Sequence, residues 1–228
     1  MFFPYGMHEE KLMRNLKAAP PEKKSTRHVY SRIKNSDLVG KKQLLIAKSA
    51  AKLFSKKGYQ QTTMREISRA TGMAMGNLYD YISKKEDVLC LVFDVYHKIV
   101  EESSLGPEVM KVKNPLERLR SNLRISIKNV HDFHNEIVLM YRESQLLPKK
   151  DMERAKKMEL DQIRAMEKLI RMGVKQGLFK VKDPYFAASM IFFQLVMPAL
   201  RGWTFRGKYS KKKIDGLIED YILKNILA

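Results

Sequence analysis

From Lys41 onward, apolar residues recur at spacings of three and four, and no stretch alternates at period two for the length of a strand. That pattern predicts an all-α fold. Leu44, Leu45, Ala47, Ala50, Ala51 and Phe54 mark the inward face of a first helix that stops at Gly58. A second helix is expected to start at Thr63. Glu66 stands three residues on, so the threonine oxygen can accept an orphan amide while the glutamate reaches back. Ile67 and Ala70 are its expected inward face, and Gly72 its end. A third, short helix is predicted over Met75–Tyr81. Ser83 with Glu86 has the same capping spacing and opens a longer helix through Val88, Leu91, Val92, Val95 and Ile99.

The remainder repeats the helical spacing. Pro115 opens a segment with Leu116, Leu119, Leu123, Ile127 and Val130, and Ile137, Val138, Met140 and Tyr141 mark another before Pro148. A long amphipathic helix runs through Ala155, Met158, Ile163, Met166, Leu169 and Ile170 towards Gly173 or Gly177. Asp183-Pro184 reads as N-cap and first residue of an unusually apolar helix, and Ser210 as the cap of the last one. The expected architecture is three short helices followed by six or so longer ones, about nine in all. Residues 1–35 lack sustained periodicity, contain Pro20-Pro21 and are read as a basic arm. Residues 36–84 form the first unit and 85–228 the second.

Residues 63–81 (TMREISRATGMAMGNLYDY) hold two short helices joined by a glycine-containing turn, the arrangement of a helix-turn-helix. Ile67, Ala70 and Leu78 supply its small core. Ala74, Met75, Gly76 and Asn77 then stand free at the start of the second helix, where they can face a major groove. Asn77 carries the amide pair that reads adenine, Met75 and Ala74 suit a thymine methyl, and Gly76 admits close backbone approach. Asn77 is equally readable as a solvated polar residue, and Met75 as an ordinary surface one. Lys41 and Lys42 near the start of the first helix serve either DNA backbone or solubility.

Charge sharpens this picture. The chain of 228 residues carries 44 Lys and Arg against 25 Asp and Glu, a net charge of +19, which favours a polyanionic partner. Residues 1–87 hold 18 of the basic and 8 of the acidic residues, so the excess per residue is greater there. The single Cys90, between Leu89 and Leu91, is expected to be a reduced, buried thiol. No apolar run is read as long enough to span a membrane and no export signal as present, so a cytoplasmic location is expected. The chain lacks a nucleophile elbow and a glycine-rich phosphate loop. His131 and His134 have a spacing that can hold a metal, but no cysteine joins them. Neither catalysis nor a metal or other cofactor is expected.

The stretch from Leu45 to Leu89, with Phe54, Gly58-Tyr59, Thr63, Ile67, Gly72, Gly76, Leu78-Tyr79 and Lys85-Glu86, resembles the N-terminal signature of TetR-family transcriptional repressors. The resemblance implies that Thr63, Tyr79, Tyr81 and Lys85 hold DNA phosphates, which fix register rather than read bases. It also leaves Tyr79 open to a core role. Three positions depart from the family pattern: Ala74 stands where a capping serine is common, Ile82 for an aromatic residue, and Ser83 for a proline. The implied protein is a homodimer on a palindromic double-stranded operator, paired through its last two long helices. The apolar faces of those helices exceed what one neighbour would cover.

An effector cavity is expected among the middle helices, lined by Phe93, Tyr96, His97, Phe133, His134, Met140, Tyr141, Arg142, Met166, Phe192 and Trp203. The same aromatic and methionine residues also read as plain core. Tyr141-Arg142-Glu143-Ser144, Leu147-Pro148, Gly177-Leu178-Phe179, Asp183-Pro184, Trp203 and Arg206-Gly207-Lys208 resemble the branch of the family that controls fatty-acid degradation. That resemblance implies an acyl-coenzyme A effector, its phosphates met by Arg142, Lys149, Lys150, Arg206 and Lys208. A hydrophobic drug, as for an efflux repressor, is the alternative effector. A basic helical protein at a membrane surface is the alternative of another class.

Overall fold

The computed structural model of the chain describes residues 36–104 and 106–227. The expected basic arm, residues 1–35, lies outside the described residues. The fold is all-α. Helix α1 (Ser36–Lys57), α2 (Met64–Thr71) and α3 (Met75–Tyr79) precede the long α4 (Lys85–Ser104). Then come α5 (Pro107–Lys111), α6 (Pro115–Asp132), α7 (His134–Glu143), α8 (Lys149–Lys175), α9 (Pro184–Arg201) and α10 (Lys211–Lys224). Short 3-10 turns follow α7 and α9. Among the described residues the only β pairing is a single bridge between Phe179 and Leu227. The five-residue α5 went unpredicted because it is too short for a period to register.

The helix boundaries follow from local chemistry. Thr63 Oγ1 accepts from Glu66 N, and Thr63 N donates to Glu66 Oε2 at 2.8 Å, so the capping box exists as expected. Gly72 ends α2 at φ +67°, a left-handed conformation that a side chain would resist. Asp183 caps α9 by accepting from Tyr185 N and Phe186 N, and Ser210 caps α10 through Lys213 N. The second expected capping box is corrected by one position. Ser83 N and Lys84 N both donate to Asp87 Oδ2 at 3.0 Å, so Asp87 rather than Glu86 closes the start of α4. Helix α3 ends at Tyr79, two residues short of the expectation.

Two apolar cores share the interior. One joins α1, α2 and α3 to α4, α7 and the end of α9 through Phe54, Ile67, Leu78, Leu89, Phe93, Ile137 and Val196. The other joins α6, α8, α9 and α10 through Leu119, Leu123, Ile170, Ile191 and Ile222. Packing does not break at residue 84: the first three helices complete their core on α4. Polar contacts fasten the same junction. Lys48 of α1 donates to Asp132 O at 3.4 Å and lies 4.4 Å from the Phe133 ring centre, and Ser55 donates to Asn135 O. Arg154 of α8 pairs with Asp94 of α4 at 2.9 Å. On the far side, Glu219 and Asp215 of α10 pair with Arg124 and His131 of α6.

Two inward assignments and one reading of apolar length are corrected. Leu45 is exposed and Ile46 fills the core in its place, a shift of one position around α1. Ala70 is exposed; its expected place is taken by Ser68, whose hydroxyl donates to Met73 O within the turn. The stretch Pro184–Phe205 is, by length and composition, apolar enough to cross a membrane, contrary to the reading from unbroken runs. Ser189, Gln194 and Arg201 interrupt the run without making the whole stretch polar. Of its most apolar 18 residues, only 28% are buried in this chain.

Gly173, expected as a stop, lies inside α8 for a packing reason. A Cβ there would fall 2.0 Å from the Phe179 ring, which folds back over the helix after the Gly177 turn. Phe179 is buried and cannot swing aside freely. Gly173→Ala is therefore expected to destabilise the chain by about 1–3 kcal/mol, less the roughly 1 kcal/mol that alanine returns in helix propensity. A melting temperature equal to or above the parent's would contradict this packing account.

Candidate DNA-binding face and effector cavity

Helices α2 and α3 cross over Ile67 and Leu78, both fully buried, and this sets which side chains remain outside. Thr63, Ala74, Gly76, Asn77 and Tyr79 are exposed and Met75 is half-buried, so the start of α3 presents a free surface. Tyr79 is 46% exposed, which removes it from the core. Tyr81 is the reverse. At 3% exposure it packs inside the first core, which corrects the phosphate role implied for it. Lys41 is exposed and Lys42 half-exposed. Arg65 and Arg69 of α2 and Lys84 are further exposed cations on this unit that sequence reading passed over. Their signal was present, since none of the three sits at an apolar-periodic position.

Ala74 caps α3 with no side-chain hydrogen bond, as its missing oxygen dictates. Ile82 is fully buried and fills the place of the larger side chain expected there. Lys85 is turned inward: its ammonium donates to Tyr59 O and Gln60 O at 3.1 Å each and lies 4.5 Å from the centre of the Tyr59 ring. It thus ties the start of α4 to the α1–α2 turn. Glu66 is held by Lys57 and by both the amide and hydroxyl of Thr63. The Lys57 bond, then those from Thr63, hold its carboxyl down to about 2.

The second element is a cavity of about 690 Å³ between α4, α5, α6, α8 and α9. Its walls are apolar where Val100, Val109, Met166, Leu169, Ile191, Phe192 and Leu195 face it. Arg118, Arg164 and Lys168 line it together with one acid, Asp161. Inside lies a polar strip. Asn122, buried, donates from Nδ2 to Ser104 O at 2.8 Å, and Ser126 Oγ lies 3.4 Å from Ser104 Oγ. Gln162 of α8 completes the strip.

Of the expected lining residues, Met166 and Phe192 face this cavity. Phe93, His97, Met140 and Tyr141 instead surround a gap of about 30 Å³ between α4, α7 and α8, too small for an organic ligand. Tyr96 and Phe133 are buried core, their ring centres 6.1 Å apart. His134 and Arg142 are exposed, and Trp203 is 63% exposed on the turn after α9. The expected basic groups Arg142, Lys149, Lys150, Arg206 and Lys208 do not line the cavity; Arg118, Arg164 and Lys168 do. Aromatic content was the wrong guide. The better signal was polar residues at inward positions: Asn122 and Ser126 sit four apart beside Leu119, Leu123 and Ile127. His131 pairs with Asp215, and among the described residues no group of three metal-ligating side chains is assembled.

A crossed pair of short helices with a free N-terminal surface, set on a helical body that encloses a cavity, defines a ligand-responsive helix-turn-helix regulator. Residues 46–90 match the family described as bacterial regulatory proteins, tetR family, and residues 112–226 match the tetracyclin repressor-like C-terminal domain. The second match alone spans half of the chain, and the chain belongs to the TetR family of non-catalytic DNA-binding regulators. It is 28% identical over 190 residues to the HTH-type transcriptional regulator HbdR of Aromatoleum sp. (strain CIB), covering 82% of this chain and 81% of HbdR. Its fold is similar to that of AibR in complex with isovaleryl coenzyme A and operator DNA (TM-score 0.65, 24% identity, 78% of this chain and 96% of AibR). It is also similar to that of the fatty acid degradation regulator FadR from Bacillus halodurans (TM-score 0.64, 20% identity, 80% of this chain and 94% of FadR).

A carboxyl whose folded value is lowered stabilises the fold fully above its unfolded value and stops doing so as pH falls through the folded one. For Glu66 that window runs from the ordinary glutamate value of 4.5 down to about 2. The melting-temperature difference between parent and Glu66→Gln is therefore expected to be largest above about pH 4.5 and to shrink towards pH 2. A difference independent of pH would mean that the charge of Glu66 contributes nothing.

Proposed function

We propose that this chain represses transcription as a homodimer on a palindromic operator and is released when an acyl-coenzyme A or related acidic amphiphile fills the cavity. The observation that carries the effector class is the pairing of apolar walls with Arg118, Arg164 and Lys168 in one cavity. An acyl tail suits the walls and phosphate or carboxylate suits the cations. The excess of three cations over Asp161 disfavours a cationic drug. The isovaleryl coenzyme A of the AibR complex and the role of FadR as a fatty acid degradation regulator support the same class.

On the DNA side, residues 36–84 act as the DNA-binding domain and 85–228 as the effector-binding and dimerisation domain, although the two share a core. Ala74, Met75, Gly76 and Asn77 enter the major groove. Thr63, Tyr79, Lys41 and Lys42 meet phosphates, with Arg65, Arg69 and Lys84 adding to the field. Lys85 acts by holding the α1–α2 turn in place. Two copies pair through α9 and α10. Phe186, Met190 and Phe193 form one exposed stripe on α9, and Leu217 and Tyr221 another on α10. Covering a phenylalanine is worth about 1.5–3 kcal/mol, so leaving the α9 stripe in water is costly.

Selection from random duplexes is expected to return an inverted repeat with half-site centres about 34–36 Å apart. Tyr79→Ala should weaken binding to every sequence, while Asn77→Ala should change which base is preferred at one position of each half-site. Equal, sequence-independent losses from both would defeat this division of roles. Phe186→Arg is expected to yield monomers in sedimentation, and a dimer that persists would move the interface elsewhere. Octanoyl-coenzyme A is expected to lower operator affinity at least tenfold; unchanged affinity across acyl chain lengths would sink the effector class.

A further inference from the structure

The segment that joins α9 to α10 is crowded with cations. Arg201, Arg206, Lys208, Lys211, Lys212 and Lys213 are all exposed, and no acidic residue stands anywhere between Asp183 and Asp215. Among the described residues, none of these side chains enters an ion pair or a hydrogen bond. Cations elsewhere on the body are answered: Arg120 and Arg124 share Glu219, Lys128 takes Asp132, and Arg171 takes Glu167. Lys211, Lys212 and Lys213 also occupy the first turn of α10, where the helix dipole disfavours positive charge and no acid relieves it. Mutual repulsion adds to that cost. A positive surface of this density, left unanswered within the chain, is complementary to a polyanion.

The segment is built rather than slack. Thr204 Oγ1 donates to Arg201 O at 2.9 Å, Lys208 N and Tyr209 N both donate to Phe205 O, and the Phe205 and Tyr209 ring centres lie 6.1 Å apart. Gly207, at φ +78°, turns the chain between Arg206 and Lys208, and Ser210 then caps α10. The cations are thus held ready, and binding costs little further ordering of the backbone. Position points to the partner. Helix α9 begins in the core shared with α6, α8 and α10 and ends, through Val196 and Ala199, in the core that holds α1, α2 and α3. The start of α10 stands beside the end of α6, where Asp215 meets His131 at 2.7 Å. One residue on, Asp132 O accepts from Lys48 of α1. The basic segment therefore lies at the end of the body that carries the helix-turn-helix unit.

We propose that residues 201–213 form a second DNA-binding surface, a basic turn that attracts operator phosphates beyond the bases that α3 reads. This rests on the operator-binding reading and extends it. The turn contributes affinity and salt dependence but no base preference, because phosphates carry no sequence information directly. At physiological ionic strength charge acts over about 8 Å, so the turn draws the backbone without entering a groove. Pairing through α9 and α10 adds the second copy's turn to the same complex. The rival polyanion, an acidic membrane surface, suits the exposed Trp203 and Tyr209 but not the placement beside the helix-turn-helix unit.

The test compares the full chain with one carrying Arg206→Gln, Lys208→Gln, Lys211→Gln, Lys212→Gln and Lys213→Gln. All five positions are exposed, so the variant is expected to melt no lower than the parent. Affinity is measured from about 50 to 200 mM salt for a duplex bearing the selected inverted repeat and for an unrelated duplex of equal length. The variant is expected to bind both duplexes about tenfold or more weakly at the low-salt end, with base preferences unchanged. Its plot of log affinity against log salt is expected to flatten by about 2, the loss of one phosphate from each copy. An unchanged slope and affinity in the variant overturn the proposal while the operator-binding reading stands. A parent that binds no duplex overturns that reading, and the proposal with it. Sedimentation checks pairing: a variant that loses DNA only because its copies part also overturns the proposal. Vesicles of phosphatidylcholine and phosphatidylserine supply the other arm. Loss of vesicle binding with the DNA slope intact assigns the turn to a lipid surface and overturns the DNA role.

Discussion

The first three helices cannot bury their apolar faces among themselves, and α4 is the surface that completes them. Val88, Leu89, Leu91, Val92 and Phe93 are each 5% exposed or less and belong to the same core as Phe54, Ile67 and Leu78. Helix α4 continues to Val100 and Ser104, which line the cavity. One rigid element thus has its first turns in the helix-turn-helix unit and its last at the cavity. A ligand can alter DNA binding only by preferring one arrangement of this element over another; a swing from 1:99 to 99:1 needs about 5.5 kcal/mol of preference. The same constraint explains why residues 36–84 are not a separable body: pulling α4 away would uncover the apolar face of α1 that packs against it.

Local rules made most of the fold legible. The Thr63–Glu66 box, the Asp183 and Ser210 caps and the Gly72 end are set by residues within four positions of one another, and the sequence displays each of them. The failures came where two acceptable local partners competed. Asp87 and Glu86 both follow Ser83 closely, and only backbone geometry decides that Asp87 takes both amides. Tyr81 could be placed by family likeness at a phosphate, yet its ring lies within the core of its own unit. Its burial depends on how α3 crosses α1 and α4, which no spacing encodes.

The cavity was less legible than the DNA-binding face for a related reason. Exposure at the start of α3 follows from one helix and its turn, whereas a cavity is what several helices jointly fail to fill. Aromatic residues, the natural suspects, are good at filling space. Tyr96, Phe133 and Phe93 therefore ended in the core, and the void opened beside serines, an asparagine, a glutamine and methionines. Basic residues follow the same logic. Arg118 and Arg164 sit near the polar boundary of amphipathic helices, where a long side chain can reach a cavity while its helix packs.

Cys90 sits on α4 against the first turn of α8, 7% exposed, with its thiol pushed up to about 12 by burial and then by Asp151. It is the chain's single cysteine. Thiolate is therefore scarce at neutral pH, and an alkylating reagent meets the sulfur only after α4 and α8 have parted. The rate at which this sulfur is modified under native conditions becomes an internal clock for the separation of the very helices that join cavity to operator-reading unit.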